Sequence, residues 1–105
     1  MASYGSSEYS DTLFRGGVQG ALSIITADGA VLVNVSGTNL SDRQLVTISP
    51  INGDIYFGYD DTVTPSTGTL LCQGQTMGIS AGETVELYIV TASTVAVDVR
   101  ITEVG

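Results

Sequence analysis

The side chains in this chain that are able to do chemistry are one thiol and a set of carboxylates. Cys72 is the sole cysteine, set in the apolar run Leu70-Leu71-Cys72, and the chain has no His and no Lys to draw a proton from it. A nucleophilic thiolate needs a neighbouring base or positive charge, so Cys72 is expected to be a buried, inert thiol. Asp60-Asp61-Thr62 has the look of part of a calcium loop, yet the alternating acidic ligands and distal Glu of such loops are missing. A solvated loop without metal is expected there. Asp54, Asp61, Glu83 and Glu86 are carboxylates of the kind that pair for glycoside hydrolysis, a chemistry that any acidic chain suggests. No Ser can be matched with a His and no glycine-rich loop carries a Lys, which excludes the usual triad and phosphate-loop arrangements. The expectation is a protein that is not an enzyme and uses no cofactor.

The elements that would position these groups are strands. Of 105 residues, 43% are hydrophobic and only 13% charged, well below the roughly 25% charged residues of ordinary soluble domains. The length fits one domain with a real core, and its surface must then be largely Ser, Thr, Gly and Asn. Val85, Leu87 and Ile89 alternate with polar neighbours, and so do Val95, Val97, Val99 and Ile101. Such a period of two marks half-buried strands, and these two are expected to pair as a hairpin at the centre of the core. Leu22–Ala27 and Ala30–Ser36 flank Asp28-Gly29, and Gln44–Ser49 and Asp54–Tyr59 flank a segment ending in Asn52-Gly53. Asp-Gly and Asn-Gly are strong hairpin signals, so each flanking pair is expected to join in one sheet. Val31, Val33 and Val35 share a face, as do Val46 and Ile48, and Ile55, Phe57 and Tyr59 fall on the inner face of their strand. Thr69–Cys72 and Gln75–Ile79 are shorter strands, while 36–42 and 60–68 are loops. No window shows helical periodicity with caps. The fold expected is all-β: an antiparallel β-sandwich, jelly roll or barrel of seven or eight short strands.

Charge narrows the range of partners. Eleven acidic residues face three arginines, Arg15, Arg43 and Arg100, for a net charge of -8. Nucleic-acid binding requires clustered Lys or Arg, so scattered arginines point instead to carboxylate partners within the fold. No apolar run approaches the roughly 20 residues that span a bilayer, and the first residues lack the basic and apolar regions of a secretory signal. Synthesis and folding in a cytosol, without disulfides, is the expectation, with neither nucleic acid nor membrane as partner. Residues 1–16 are rich in Ser, Gly and Tyr, without a period, and read as an arm preceding a single β domain over 17–105. Tyr4, Tyr9, Leu13, Phe14 and Arg15 are its candidate contacts with a neighbouring subunit. Tyr56 points away from Phe57, beside Gly58, and either packs within its own sheet or stacks on a partner or a sugar.

From Arg43 to Gly74, and again from Ser80-Ala81-Gly82-Glu83 to Val104, the chain resembles small β-rich virion proteins of tailed bacteriophages. The strand ending Tyr56-Phe57-Gly58, the loop Thr62-Val63-Thr64-Pro65-Ser66-Thr67-Gly68 and the ending Val99-Arg100-Ile101-Thr102-Glu103 carry the likeness. The resemblance implies a non-enzymatic structural role in the particle, of the capsid decoration or cement type. It implies a role in the particle more firmly than a place in it; the leading expectation is a self-associated protein on the outer capsid surface, with the major capsid protein as partner and a trimer matching the local threefold symmetry of the shell. A tail, neck or head-fibre position is the alternative, and a carbohydrate-binding module centred on Tyr56 is the alternative from another class.

Overall fold

A computed structural model describes residues 16–105 as eight strands and one short 3-10 turn. The strands are β1 (Gly17–Ile24), β2 (Val31–Leu32), β3 (Leu45–Pro50), β4 (Ile55–Gly58), β5 (Thr69–Leu71), β6 (Met77–Ser80), β7 (Tyr88–Val90) and β8 (Val97–Val104). They form two four-stranded sheets, β1-β8-β3-β6 and β2-β7-β4-β5, in which every neighbouring pair is antiparallel. β1 pairs with β8, β2 with β7, β3 with β6 and β4 with β5. The chain is therefore one long hairpin with its tip between β4 and β5, rolled up so that β3 also meets β8 and β4 meets β7. That is a jelly roll.

The alternation read from the sequence places the core. On the inner face of the first sheet lie Ile24, Val46, Ile48, Ile79, Val97, Val99 and Ile101, and against them from the second sheet Val33, Ile55, Leu71, Leu87 and Ile89, all buried. β7 and β8 are interior strands of their sheets, as expected, but they belong to different sheets and are no hairpin. The other two expected hairpins are corners as well. At Asp28-Gly29 the Asp28 carboxylate accepts the Ile25 N–H at 2.8 Å and closes the 3-10 turn Thr26–Asp28, which carries the chain from β1 across to β2. At Asn52-Gly53 the Asn52 side chain accepts the Asp98 N–H at 2.7 Å and donates to the Ala96 carbonyl at 3.3 Å. A Cβ on Gly53 would stand 2.7 Å from a Val97 methyl. Both residue pairs are turns, but each makes a sheet-crossing corner, and Asn52-Gly53 tucks its corner against β8.

The opposite end of the sandwich is held by charge. Glu103 continues the inward parity of Val97, Val99 and Ile101 and is fully buried, 2.8 Å from the equally buried Arg43. Arg43 also donates through Nε to the Ala81 carbonyl at 3.1 Å and through Nη2 to the carbonyls of Gly82, at 3.1 Å, and Val85. Glu103 further accepts the Val35 N–H at 2.9 Å and the Leu40 N–H at 3.1 Å. The pair thus ties β8 to the two crossings 33–44 and 81–87. A buried ion pair is stable only when its remaining donors and acceptors are also satisfied, and these contacts occupy both carboxylate oxygens and four of the five guanidinium N–H groups.

Candidate functional site

β1 is an edge strand whose one partner among the described residues is β8. Its register with β8 is unbroken from Gly17↔Val104 to Ile24↔Val97, and the Gly105 N–H reaches the Gly16 carbonyl at 2.9 Å. In an antiparallel ladder hydrogen-bonded pairs alternate, so even-numbered residues bond to β8 while Gly17, Gln19, Ala21 and Ser23 turn their N–H and C=O groups to the outer edge. All eight residues, Gly-Val-Gln-Gly-Ala-Leu-Ser-Ile, lack charge and proline. Protein sheets usually guard so long an edge with charges, proline or a bulge.

The outer faces of the two sheets differ in chemistry. On the first sheet, Gln19, Ala21, Thr102, Thr47, Ser49 and Ser80 face outward together with the half-buried Leu45 and Val104, and Arg100 grips Asp98 at 2.8 Å. This accounts for the second described arginine, and both Arg43 and Arg100 have the carboxylate partners expected of them. On the second sheet, register places Leu32 opposite Tyr88 and Tyr88 opposite Gly58, and two residues along, Val90 opposite Tyr56 and Tyr56 opposite Leu70. Leu70 is 49% exposed, Leu32, Tyr56 and Tyr88 are half-buried, and Val90 is buried. Tyr88 donates its hydroxyl to Glu86 at 3.1 Å. Its partial burial, that hydrogen bond and the fields of Glu86, Asp61 and Asp60 raise the phenol above its ordinary pKa.

The loop between β4 and β5 folds back over the Gly58 part of this face. Asp60 accepts the Thr62 N–H at 3.0 Å and the Thr62 hydroxyl, and these bonds hold its carboxyl below the ordinary aspartate range. Val63 is buried, filling the space over Gly58 and Gly68.

Tyr56 lies on the outer face as its parity implied, with Gly68 close against its Cβ position. Tyr4, Tyr9, Leu13, Phe14 and Arg15 lie outside the described residues. Tyr59 departs from expectation. It is 62% exposed, with its ring edge-on to Phe57 at 6.2 Å between centres, because β4 ends at Gly58 before its alternation reaches Tyr59. Cys72 is half-buried rather than buried, since it follows the last residue of β5. Of the four carboxylates considered for hydrolysis, Asp54 accepts the Gln73 N–H and Glu83 the Asp42 N–H, while Glu86, through the Tyr88 hydroxyl, and Asp61, through its field, both act on Tyr88. Among the described residues no three His, Cys, Asp or Glu side chains gather to hold a metal ion. Leu32, Leu70 and Tyr88 were missed as surface candidates, although the opposite parity of Tyr88 to Leu87 and Ile89 was available as a signal. No family model and no curated protein matches the chain.

Proposed function

We propose that this chain is a non-enzymatic structural protein of a phage virion, a decoration or cement protein that binds major capsid protein subunits on the outer shell as a homo-oligomer, with a trimer as the favoured state. The observation that carries this reading is the uncharged eight-residue edge of β1. Four outward pairs of backbone groups are a template for a strand of a neighbouring copy, a mode of association in which main-chain bonds supply affinity. The jelly roll adds support by analogy, since viral capsid domains use it, as do lectins. The sequence likeness of 43–104 to virion proteins supports the same reading. A body with few exposed charges and loops pinned at both ends suits a protein that must present fixed surfaces, and multivalent attachment of an oligomer multiplies weak contacts.

The test is co-sedimentation of purified protein with empty phage shells assembled without it, together with its native mass by light scattering. Saturable binding at a fixed ratio to capsid subunits, by a trimer, is the expected result. A hexamer or dodecamer that ignores the shells would move the protein to the tail or neck, and no binding by any species would end the virion-surface reading.

A further inference from the structure

The outer face of the second sheet calls for an occupant other than a second copy. The sandwich supplies its own comparison: one outer face is mostly Ser, Thr and Gln, as solvent-facing sheets usually are, with the ion pair of Arg100 and Asp98 and one half-buried apolar pair, Leu45 with Val104, while the other carries Leu32, Tyr56, Leu70 and Tyr88. This apolar strip has a one-signed rim, with Glu86 bonded to the Tyr88 hydroxyl and Asp60 and Asp61 close enough for their fields to act on it. A second copy would bring the same acidic rim. Both described arginines are already held by carboxylates, Arg43 in the interior and Arg100 on the other sheet. Nucleic acid is repelled for the same reason. What complements the strip is a surface with cations set beside apolar groups, the cations placed to meet Glu86, Asp60 and Asp61 and, once desolvated, the faces of Tyr56 and Tyr88.

We propose that the face formed by Leu32, Tyr56, Leu70 and Tyr88 is the docking site for a cationic protein surface that presents Arg or Lys beside apolar side chains. The inference deepens the decoration reading and rests on it for the identity of that surface, which would be the exposed side of the capsid subunit. Copies would then join along β1 and attach to the shell through the second sheet.

Two measurements separate the inference from the reading it rests on. The first uses a short amidated peptide alternating Arg with Leu and Phe, and a twin with Glu in place of Arg, each titrated into the isotopically labelled full chain. The Arg peptide should shift the amides at 32, 56, 70 and 88, with salt weakening the effect, and the Glu twin should not. Leu70→Ser combined with Glu86→Gln should weaken binding about tenfold, with the circular dichroism spectrum unchanged. Shifts on the first sheet, shifts spread over the whole surface, or equal responses to both peptides would overturn the proposal. The second measurement adds wild type and the double variant to empty shells. Equal binding of both would refute this face as the docking site while leaving the decoration reading intact. Localised peptide shifts without any shell binding would support the docking chemistry and remove the capsid as its target.

Discussion

Replacing Glu103 by Ala should be among the most damaging single changes available in the described part of the chain. The carboxylate is fully buried and accepts three donors: the Arg43 guanidinium at 2.8 Å, the Val35 N–H at 2.9 Å and the Leu40 N–H at 3.1 Å. Orphaning a buried donor costs about 1–3 kcal/mol, and removing one member of a buried ion pair typically costs about 3–5 kcal/mol in all. A loss of about 4 kcal/mol is therefore expected, against a total stability of roughly 5–15 kcal/mol for a small domain. In urea, with m near 2 kcal/mol/M, the midpoint should fall by about 2 M. Glu103→Gln keeps the shape and one acceptor oxygen and should cost about half as much. The double variant Arg43→Met with Glu103→Met makes the reasoning sharper. Isolated buried pairs can often be replaced by apolar residues at no cost. Here the carbonyls of Ala81, Gly82 and Val85 and the N–H groups of Val35 and Leu40 would all lose partners, so the double variant should remain about 2 kcal/mol or more below wild type. Unfolding can be followed by far-ultraviolet circular dichroism and by tyrosine fluorescence, which is undisturbed by Trp because the chain has none. Glu103→Ala within about 0.5 kcal/mol of wild type, or a double variant as stable as wild type, would refute the argument that this pair holds the crossings together.

Ala21→Pro should leave the thermal midpoint within a few degrees of wild type, because the Ala21 N–H faces the outer edge rather than β8; it should nonetheless lower the native mass, and an unchanged oligomer on light scattering would show that copies do not join along β1. Gly58→Ala places a Cβ 2.8 Å from a methyl of the buried Val63 and should destabilise by about 1–3 kcal/mol, read as a lower melting temperature; an unaltered melt would mean that the loop over β4 yields freely. Asp98 is held below the ordinary aspartate range, first by its hydrogen bonds from Arg100, and Asp60 by those from Thr62. Since folding depresses both values, their stabilisation is complete above the unfolded carboxylate range and disappears as pH falls through the folded values. Carbon-detected titration of the side-chain carboxyls should give midpoints below the ordinary range for both, and ordinary or raised midpoints would contradict the geometry.

The strands were legible from the sequence, while their partners were not. Alternation placed Val46, Ile48, Leu87, Ile89, Val97, Val99 and Ile101 on inner faces, and all are buried, whereas Val85 and Val95, read into the same alternation, precede β7 and β8 and are exposed. Asp28-Gly29 and Asn52-Gly53 announced turns, but a turn signal reports only that the chain reverses locally, not whether it returns to the same sheet. In a rolled hairpin the pairing of β1 with β8 joins residues from opposite ends of the domain, and no local pattern records such a contact. Glu103 could have been found by carrying the alternation of β8 two residues further, since a carboxylate at an inward position requires a buried partner. The apolar second-sheet face was hidden for a related reason. Leu32, Tyr56, Leu70 and Tyr88 come from four strands far apart in sequence, and only the order β2-β7-β4-β5 collects them.

The central claim, that this chain reinforces a capsid shell, is tested most directly by heating empty shells with and without saturating protein and recording the temperature at which they come apart. The account predicts a clear upward shift that reaches a plateau at a fixed ratio of protein to capsid subunits. The same disassembly temperature with and without the protein, at concentrations where the folded oligomer is present, would contradict it.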